Sequence, residues 1–300
     1  MSLPTILTQA KNPEKIDSVG IITKRNIIAS KQVVFDLVKY LKKKNKKIYF
    51  DNNSAALFKG EEGMKKSKIL KKADMVICLG GDGTLLKTSR RMSKRKVPIL
   101  GVNMGSLGFL TEVTPDKMYE ALDRTFQGKY VLDRRFILRV TIYRDGEKIY
   151  TNMALNDAVI NQGLFARLID LRLEVNQRKI IEFEADGIIV ATPTGSTGHA
   201  LSAGGPIVHP SVYSFVIVPV CPKSLSVRPI IIPNDRQLKL IVQTHRVKEH
   251  VGLTLDGQET FDLEYGDEIK IRKSSRWFDM IRITGEGYYK VLRQKLHWGD

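Results

Sequence analysis

The first 130 residues alternate short apolar runs with longer stretches of helical period. Ser18–Thr23 reads as a strand. Ser30–Lys43 places Val33, Val34, Leu37, Val38 and Leu41 along one face of a helix, with Ser30 as its N-cap. Lys47–Asp51 predicts a second strand and Met64–Lys72 a short basic helix. Asp74–Leu79 predicts a third strand, apolar throughout and therefore central and covered on both faces. Thr84–Lys94 predicts a helix and Val97–Val102 a fourth strand. Pro115–Gln127 is again helical, with Pro115 in its first turn and Gly128 just past its end. This β-α repetition predicts a parallel sheet wound by helices.

The period changes near Tyr130. Strand signals then dominate, at Phe136–Tyr143, Ile149–Asn161, Leu168–Val175, Lys179–Phe183, Gly187–Ala191, Phe215–Val220, Gln237–Thr244, Gly252–Leu255 and Glu268–Arg272. Turn residues separate them at Arg144–Glu147, Asn176–Arg178 and Asp256–Gly257. One helical stretch, Ser196–Gly204, interrupts the strands. Gly287–Trp298 closes the chain as a helix with Tyr289, Leu292 and Leu296 on one face. The expected fold is an α/β N-terminal domain with a parallel sheet, residues 1–132, and a mainly antiparallel β domain, residues 133–275. A C-terminal segment, 276–300, is expected to pack its helix back on the first domain.

Composition narrows the class. Of 300 residues, 42% are hydrophobic and 27% charged, which excludes a disordered or collagen-like chain. The longest apolar runs, Ser214–Cys221 and Pro229–Pro233, are too short to span a bilayer. Met1–Ala10 lacks the basic and apolar regions of a secretory signal. Cys78 and Cys221 sit in apolar runs and share no ligand spacing, so both read as buried thiols of a cytoplasmic chain.

Charge is lopsided. Residues 1–150 carry 31 basic and 15 acidic side chains, and residues 151–300 carry 18 and 17. The lysines at Lys42–Lys47 and Lys65–Lys72 lack interleaved aromatics, so they read as solvated helix faces and ends rather than a nucleic-acid surface. No specific nucleic-acid or membrane partner is expected. A positive field still concentrates polyphosphate substrates.

Three Gly-rich segments carry the candidate chemistry. Leu79–Leu85 follows an apolar strand and opens a helix, and Gly80, Gly81 and Gly83 let a phosphate approach free backbone N–H groups. Asp82 stands among them. Either it accepts a proton or holds a metal, or it simply caps the helix. Asn103–Glu112 is a second glycine loop at the same carboxyl edge, where ligands bind in parallel sheets. Its Phe109 either fills the core or stacks on a ring. The third segment, Ala185–Pro210, packs hydroxyls and glycines between an acid and a histidine. It is either a long surface loop or a wrap for a polar ligand.

Gly80–Thr84, Asn103–Phe109, Leu155–Asp157, Asp186–Gly205 and the closing Tyr289–Gly299 resemble the NAD kinases in order and spacing. The resemblance implies transfer of the γ-phosphoryl group of ATP, or of inorganic polyphosphate, to the 2′-hydroxyl of the adenosine ribose of NAD, producing NADP. It implies Asp82 as the base and Gly80, Gly81, Gly83 and Thr84 as the phosphate cradle. The NAD contacts it implies are Asp82, Gly83, Phe109, Asn156, Asp157, Arg167, Asp186, Thr197, Gly198, His199, Ala200, Leu201, Ser202 and Gln258. Asp186 would reach the NAD of a neighbouring subunit, in a homodimer or homotetramer. A divalent cation, Mg²⁺, would bridge the nucleotide phosphates, with no dedicated protein cage.

His199 stands where the family usually has Tyr, which would make contact with adenine pH-sensitive. Asp157 stands where Glu is commoner, shorter by one methylene with its charge kept.

Overall fold

The computed structural model describes residues 7–9, 15–24, 31–105, 108–111, 113–162, 168–244, 251–283 and 288–297. They divide into two units, Met1–Arg135 with Arg276–Asp300, and Phe136–Ser275. The first unit runs β1 (Leu7–Gln9), β2 (Ser18–Thr23), α1 (Lys31–Lys43), β3 (Lys47–Phe50), α2 (Asn52–Ala55), α3 (Lys66–Lys72), β4 (Met75–Gly80), α4 (Asp82–Ser89) and β5 (Ile99–Asn103). A tight turn at Pro115–Lys117 leads into α5 (Met118–Phe126), and β6 (Val131–Arg144) then passes into the second unit. There follow β7 (Glu147–Ala154), β8 (Asp157–Gln162), β9 (Ile169–Val175), β10 (Arg178–Ala185), β11 (Gly187–Ala191), α6 (His199–Ser202), β12 (Ser214–Val220), β13 (Ile230–Pro233), β14 (Leu238–Val242), β15 (Val251–Leu255) and β16 (Glu259–Leu263). β17 (Glu268–Arg282) re-enters the first unit, which also contains α7 (Tyr288–Leu296).

In the first unit the strand order is β17, β5, β4, β2, β3, with every neighbour parallel. β4 lies inside this order and is buried along its whole length, as its unbroken apolar sequence requires. α1 buries Val34, Leu37, Val38 and Leu41 against a core that includes Ile21, Ile77, Leu79, Val102 and Ile281. Its last turn carries Lys42 and Lys43, which suit the negative end of the helix dipole. Gly80 pairs with Asn103 in register, so the loops leaving β4 and β5 start side by side.

The second unit is antiparallel. One set orders β10, β9, β14 and the start of β17. The other orders β13, β12, β11, β8, β15 and β16, and packs Val159, Ile189, Val216 and Val218 against Ala200 of α6. Its hairpins turn through left-handed pairs, Asp145-Gly146, Asn176-Gln177 and Asp256-Gly257, the geometry that matches strand twist. No described helix is long and apolar enough to cross a membrane.

Several expectations are corrected. The helix after the first glycine loop spans Asp82–Ser89 rather than Thr84–Lys94. Ile149–Asn161 is two strands, because the backbone at Leu155–Asn156 leaves the ladder for other partners described below. The last strand continues past Arg272 to Arg282, with Ser274 buried on it beside Met153. Cys78 is buried, and burial pushes its thiol up to about 12. Cys221 is exposed, because it sits just past β12 in a left-handed turn with φ 45°. On α7 the packed face holds Tyr288 and Leu292, four residues apart, while Tyr289 is exposed. The expected cap Ser30 lies outside the described residues.

Candidate active site

Asp82 is the first residue of α4, and no side chain caps that helix. Its carboxylate bonds elsewhere. Oδ2 accepts the N–H of Phe109 at 2.8 Å, and Oδ1 accepts the N–H groups of Leu110 at 3.1 Å and Thr111 at 3.2 Å. The Thr111 hydroxyl approaches Oδ1 at 3.4 Å. One acid thus joins the two glycine loops of the first unit across 27 to 29 residues of sequence. Gly108 permits this. A Cβ there would sit 2.0 Å from Asp82 Oδ1.

The loop is tied down from behind. Arg282 Nη1 donates to the Leu110 carbonyl at 3.3 Å, and its Nε to Asp133 at 3.0 Å. Arg135 donates twice to the same carboxylate, at 2.6 and 2.7 Å. Burial opposes the charge on Asp133, but the two guanidiniums prevail and hold its pKa well below the carboxylate range. Around Asp82, Gly81 and Gly83 are exposed, whereas Gly80 and Thr84 are buried. Phe109 is half-buried.

The second unit gathers another group of candidates at one end of its six-stranded sheet. The break between β7 and β8 frees the backbone of Leu155 and Asn156. Thr192 takes both carbonyls, its Oγ1 donating to Leu155 at 2.6 Å and its N–H to Asn156 at 2.8 Å. Gly195 lies directly over this bend, where a Cβ would meet the Asn156 carbonyl at 2.2 Å. The Asn156 amide nitrogen is the side-chain group nearest Gly198, 3.8 Å from where its Cβ would stand. Ser196 knots the segment internally, donating to the Pro193 carbonyl at 2.7 Å and accepting the Val208 N–H at 3.0 Å. His199 and Ser202 are exposed, Thr197, Gly198 and Leu201 half-buried, and Ala200 buried.

Asp256 completes this end. Its turn has φ 52°, followed by Gly257 at 62°. Its carboxylate accepts the N–H groups of Leu155 at 3.1 Å, Asn156 at 2.7 Å and Asp157 at 3.3 Å. Asp157 itself is 4% exposed. Burial, and then the Asp256 charge, push its carboxyl up to about 7. Gln258, half-buried, lies two residues on, and its N–H closes the hairpin on Leu255.

Asp186 is not brought to this group. It accepts from Gln162 Nε2 at 3.2 Å and precedes β11, whose far end pairs with Asp157. The five residues of β11 separate it from Asp157 by about 16 Å of extended chain. Arg167 lies outside the described residues. No group of three or more His, Cys, Asp or Glu that suits a metal occurs among the described residues. Sequence reasoning missed Thr111, Thr192, Arg282 and Asp133. Thr111 and Thr192 stood inside segments already suspected, whereas nothing local marks the other two.

Comparison with known families decides the kinship. Residues 19–130 match the model of the ATP-NAD kinase N-terminal domain, and residues 155–283 that of the C-terminal domain. The chain belongs to the NAD kinase family. An NAD kinase of Geotalea daltonii is 48% identical over 236 residues, covering 79% of this chain and 82% of that protein. One from Magnetococcus marinus is 40% identical and covers 95% of each. Among solved structures, a yeast NADH kinase complexed with NADH superposes with a TM-score of 0.89 at 22% identity, covering 100% of this chain and 92% of that one. An NAD kinase from Archaeoglobus fulgidus in complex with ATP gives 0.71 at 24% identity, covering 93% and 98%. These two likenesses concern the NAD kinase fold.

Proposed function

We propose that this enzyme transfers the γ-phosphoryl group of ATP to the 2′-hydroxyl of the adenosine ribose of NAD, producing NADP. The observation that carries the mechanism is the state of the Asp82 carboxylate. It is not consumed as a helix cap, and a fixed row of backbone donors holds it in one orientation. Its two oxygens differ. Among the described residues Oδ1 accepts two N–H groups, whereas Oδ2 accepts one and keeps an acceptor direction open.

Oδ2 is therefore the atom that takes the proton as the ribose oxygen bonds to the γ-phosphorus and the bond to the bridging oxygen of ADP breaks. The exposed glycines Gly81 and Gly83 let the phosphates approach the backbone, with Gly80 and Thr84 shaping the turn beneath them. Phe109, fixed through its N–H to the same carboxylate, offers its ring to the nucleoside.

Asn156, Asp157, Gln258 and the Thr197–Ser202 stretch serve NAD. An amide both donates and accepts along an adenine edge, and a carboxyl group suits ribose hydroxyls. Mg²⁺ would neutralise charge between the nucleotide phosphates. Asp82 is the one acid of its loop with an open oxygen, so phosphates and water would supply most of its coordination. The chain with NAD, ATP and Mg²⁺ is expected to produce NADP, read by an NADP-specific dehydrogenase. No NADP with either ATP or polyphosphate would overturn the assignment.

Asp186 serves the NAD of a neighbouring copy. Its distance along β11 from Asn156 and Asp157 supports this, as does the prevalence of two-fold symmetry among soluble oligomers. Light scattering at assay concentration should then give a dimer or tetramer. A fully active monomer would refute the shared site.

A further inference from the structure

We propose that Asp256 is the positioning residue of the NAD site, gathering the N–H groups of Leu155, Asn156 and Asp157 so that the bend between β7 and β8 presents the Asn156 amide and the Asp157 carboxyl together. The proposal rests on the reading of Asn156 and Asp157 as NAD contacts. An Asp-Gly pair between two strands needs no purpose beyond its turn. Here the acid does more than turn. It bonds three consecutive N–H groups that lie 99 to 101 residues away.

Those groups need an acceptor. The bend takes Leu155 and Asn156 out of the sheet ladder, and buried N–H groups left unpaired are costly. Thr192 satisfies the carbonyl side of the same bend and Asp256 the N–H side, so the two hold it from opposite directions. The Asp256 N–H in turn donates to the Asp157 carbonyl at 3.0 Å, locking turn and bend together.

The Asp157 carboxyl lies within the field of Asp256. Asp157 has Asp256 as its charged neighbour, while Ala191 and Thr192 on the β11 side and Leu255 and Ala158 toward β15 carry no charge. Burial, and then the Asp256 charge, favour the neutral form of the Asp157 carboxyl. NAD capture by Asp157 then changes with pH near neutrality, and Asp256 sets where.

Asp256→Asn is the suitable variant, because asparagine tolerates the left-handed turn before Gly257. It keeps one acceptor oxygen but turns an NH₂ group toward an N–H donor, and it removes the charge. The expected result is a rise of about tenfold in the NAD Michaelis constant with kcat nearly kept. The inflection of kcat/KM for NAD near pH 7 should also move to lower pH. A scaffold role without positioning would lower thermal stability and leave the NAD Michaelis constant in place. An unchanged Michaelis constant would overturn the proposal.

Should that variant fail to fold, Asp157→Asn in the presence of intact Asp256 decides. Loss of the inflection supports the proposal, and its persistence overturns it. Asn156→Ala separates the two layers: an unaltered NAD Michaelis constant there removes the underlying reading of the NAD contacts, whatever Asp256 does.

Discussion

Replacing Asp82 with asparagine is expected to lower turnover by about 10²–10⁴-fold while NAD still binds. The amide cannot accept the hydroxyl proton, so the phosphoryl group must transfer to an oxygen that keeps its hydrogen. The substitution has a second consequence. With its oxygen toward Leu110 and Thr111, the asparagine turns its NH₂ toward the Phe109 N–H, which now donates to Oδ2 at 2.8 Å. Donor then faces donor, at a cost of about 1–3 kcal/mol. Some loss of thermal stability should accompany the loss of rate. Calorimetric NAD titration separates the effects, because binding survives a missing base. Near-normal turnover in Asp82→Asn would remove the residue from the chemistry.

Gly108→Ala should lower kcat by about 100-fold without touching a chemical group. The added Cβ would lie 2.0 Å from Asp82 Oδ1 and 2.8 Å from Oδ2, far inside contact distance. Either the carboxylate leaves its row of N–H groups or the loop moves away, and both displace the base. A displacement of about 1 Å from a reactive geometry costs on the order of 10² in rate. Gly105→Ala, earlier in the same loop, is the control, since its Cβ meets nothing within 4 Å among the described residues. It should keep activity within about twofold. Equal losses in the two variants would show that general stiffening of the loop, and not pressure on Asp82, is responsible.

The β-α order of the first unit was legible because its strands are apolar throughout and its helices carry clean stripes, as in β4 and α1. The glycine loops were legible because clustered glycines after an apolar strand let a phosphate approach free backbone N–H groups. What holds those loops was not. The acceptor of the Phe109 N–H lies 27 residues back, and Arg282 reaches the Leu110 carbonyl across 172. No local period encodes such partners. The single strand expected at Ile149–Asn161 failed for the same reason, since Thr192 and Asp256 claim the backbone at its middle. Asp256 looked like an ordinary turn residue because its φ of 52° is what an Asp-Gly turn demands, and its second use appears only when the bend is beside it.

β6 and β17, which pair with each other, each run from one unit into the other, and the first unit is assembled from two separate stretches of chain. During synthesis, β5 therefore waits for its outer neighbour until Met280 emerges to meet Ile99. Ile99, Leu100 and Val102 leave the ribosome long before that edge is covered. Closing a loop the length of Phe136–Ser275 costs about 4 kcal/mol if the inserted stretch is still unfolded. Folding of the inserted stretch by its own contacts meets most of that cost in advance. The fold thus favours an order in which the later-made unit forms first and the earlier-made sheet is completed last, so the base-bearing half becomes competent only once nearly the whole chain exists.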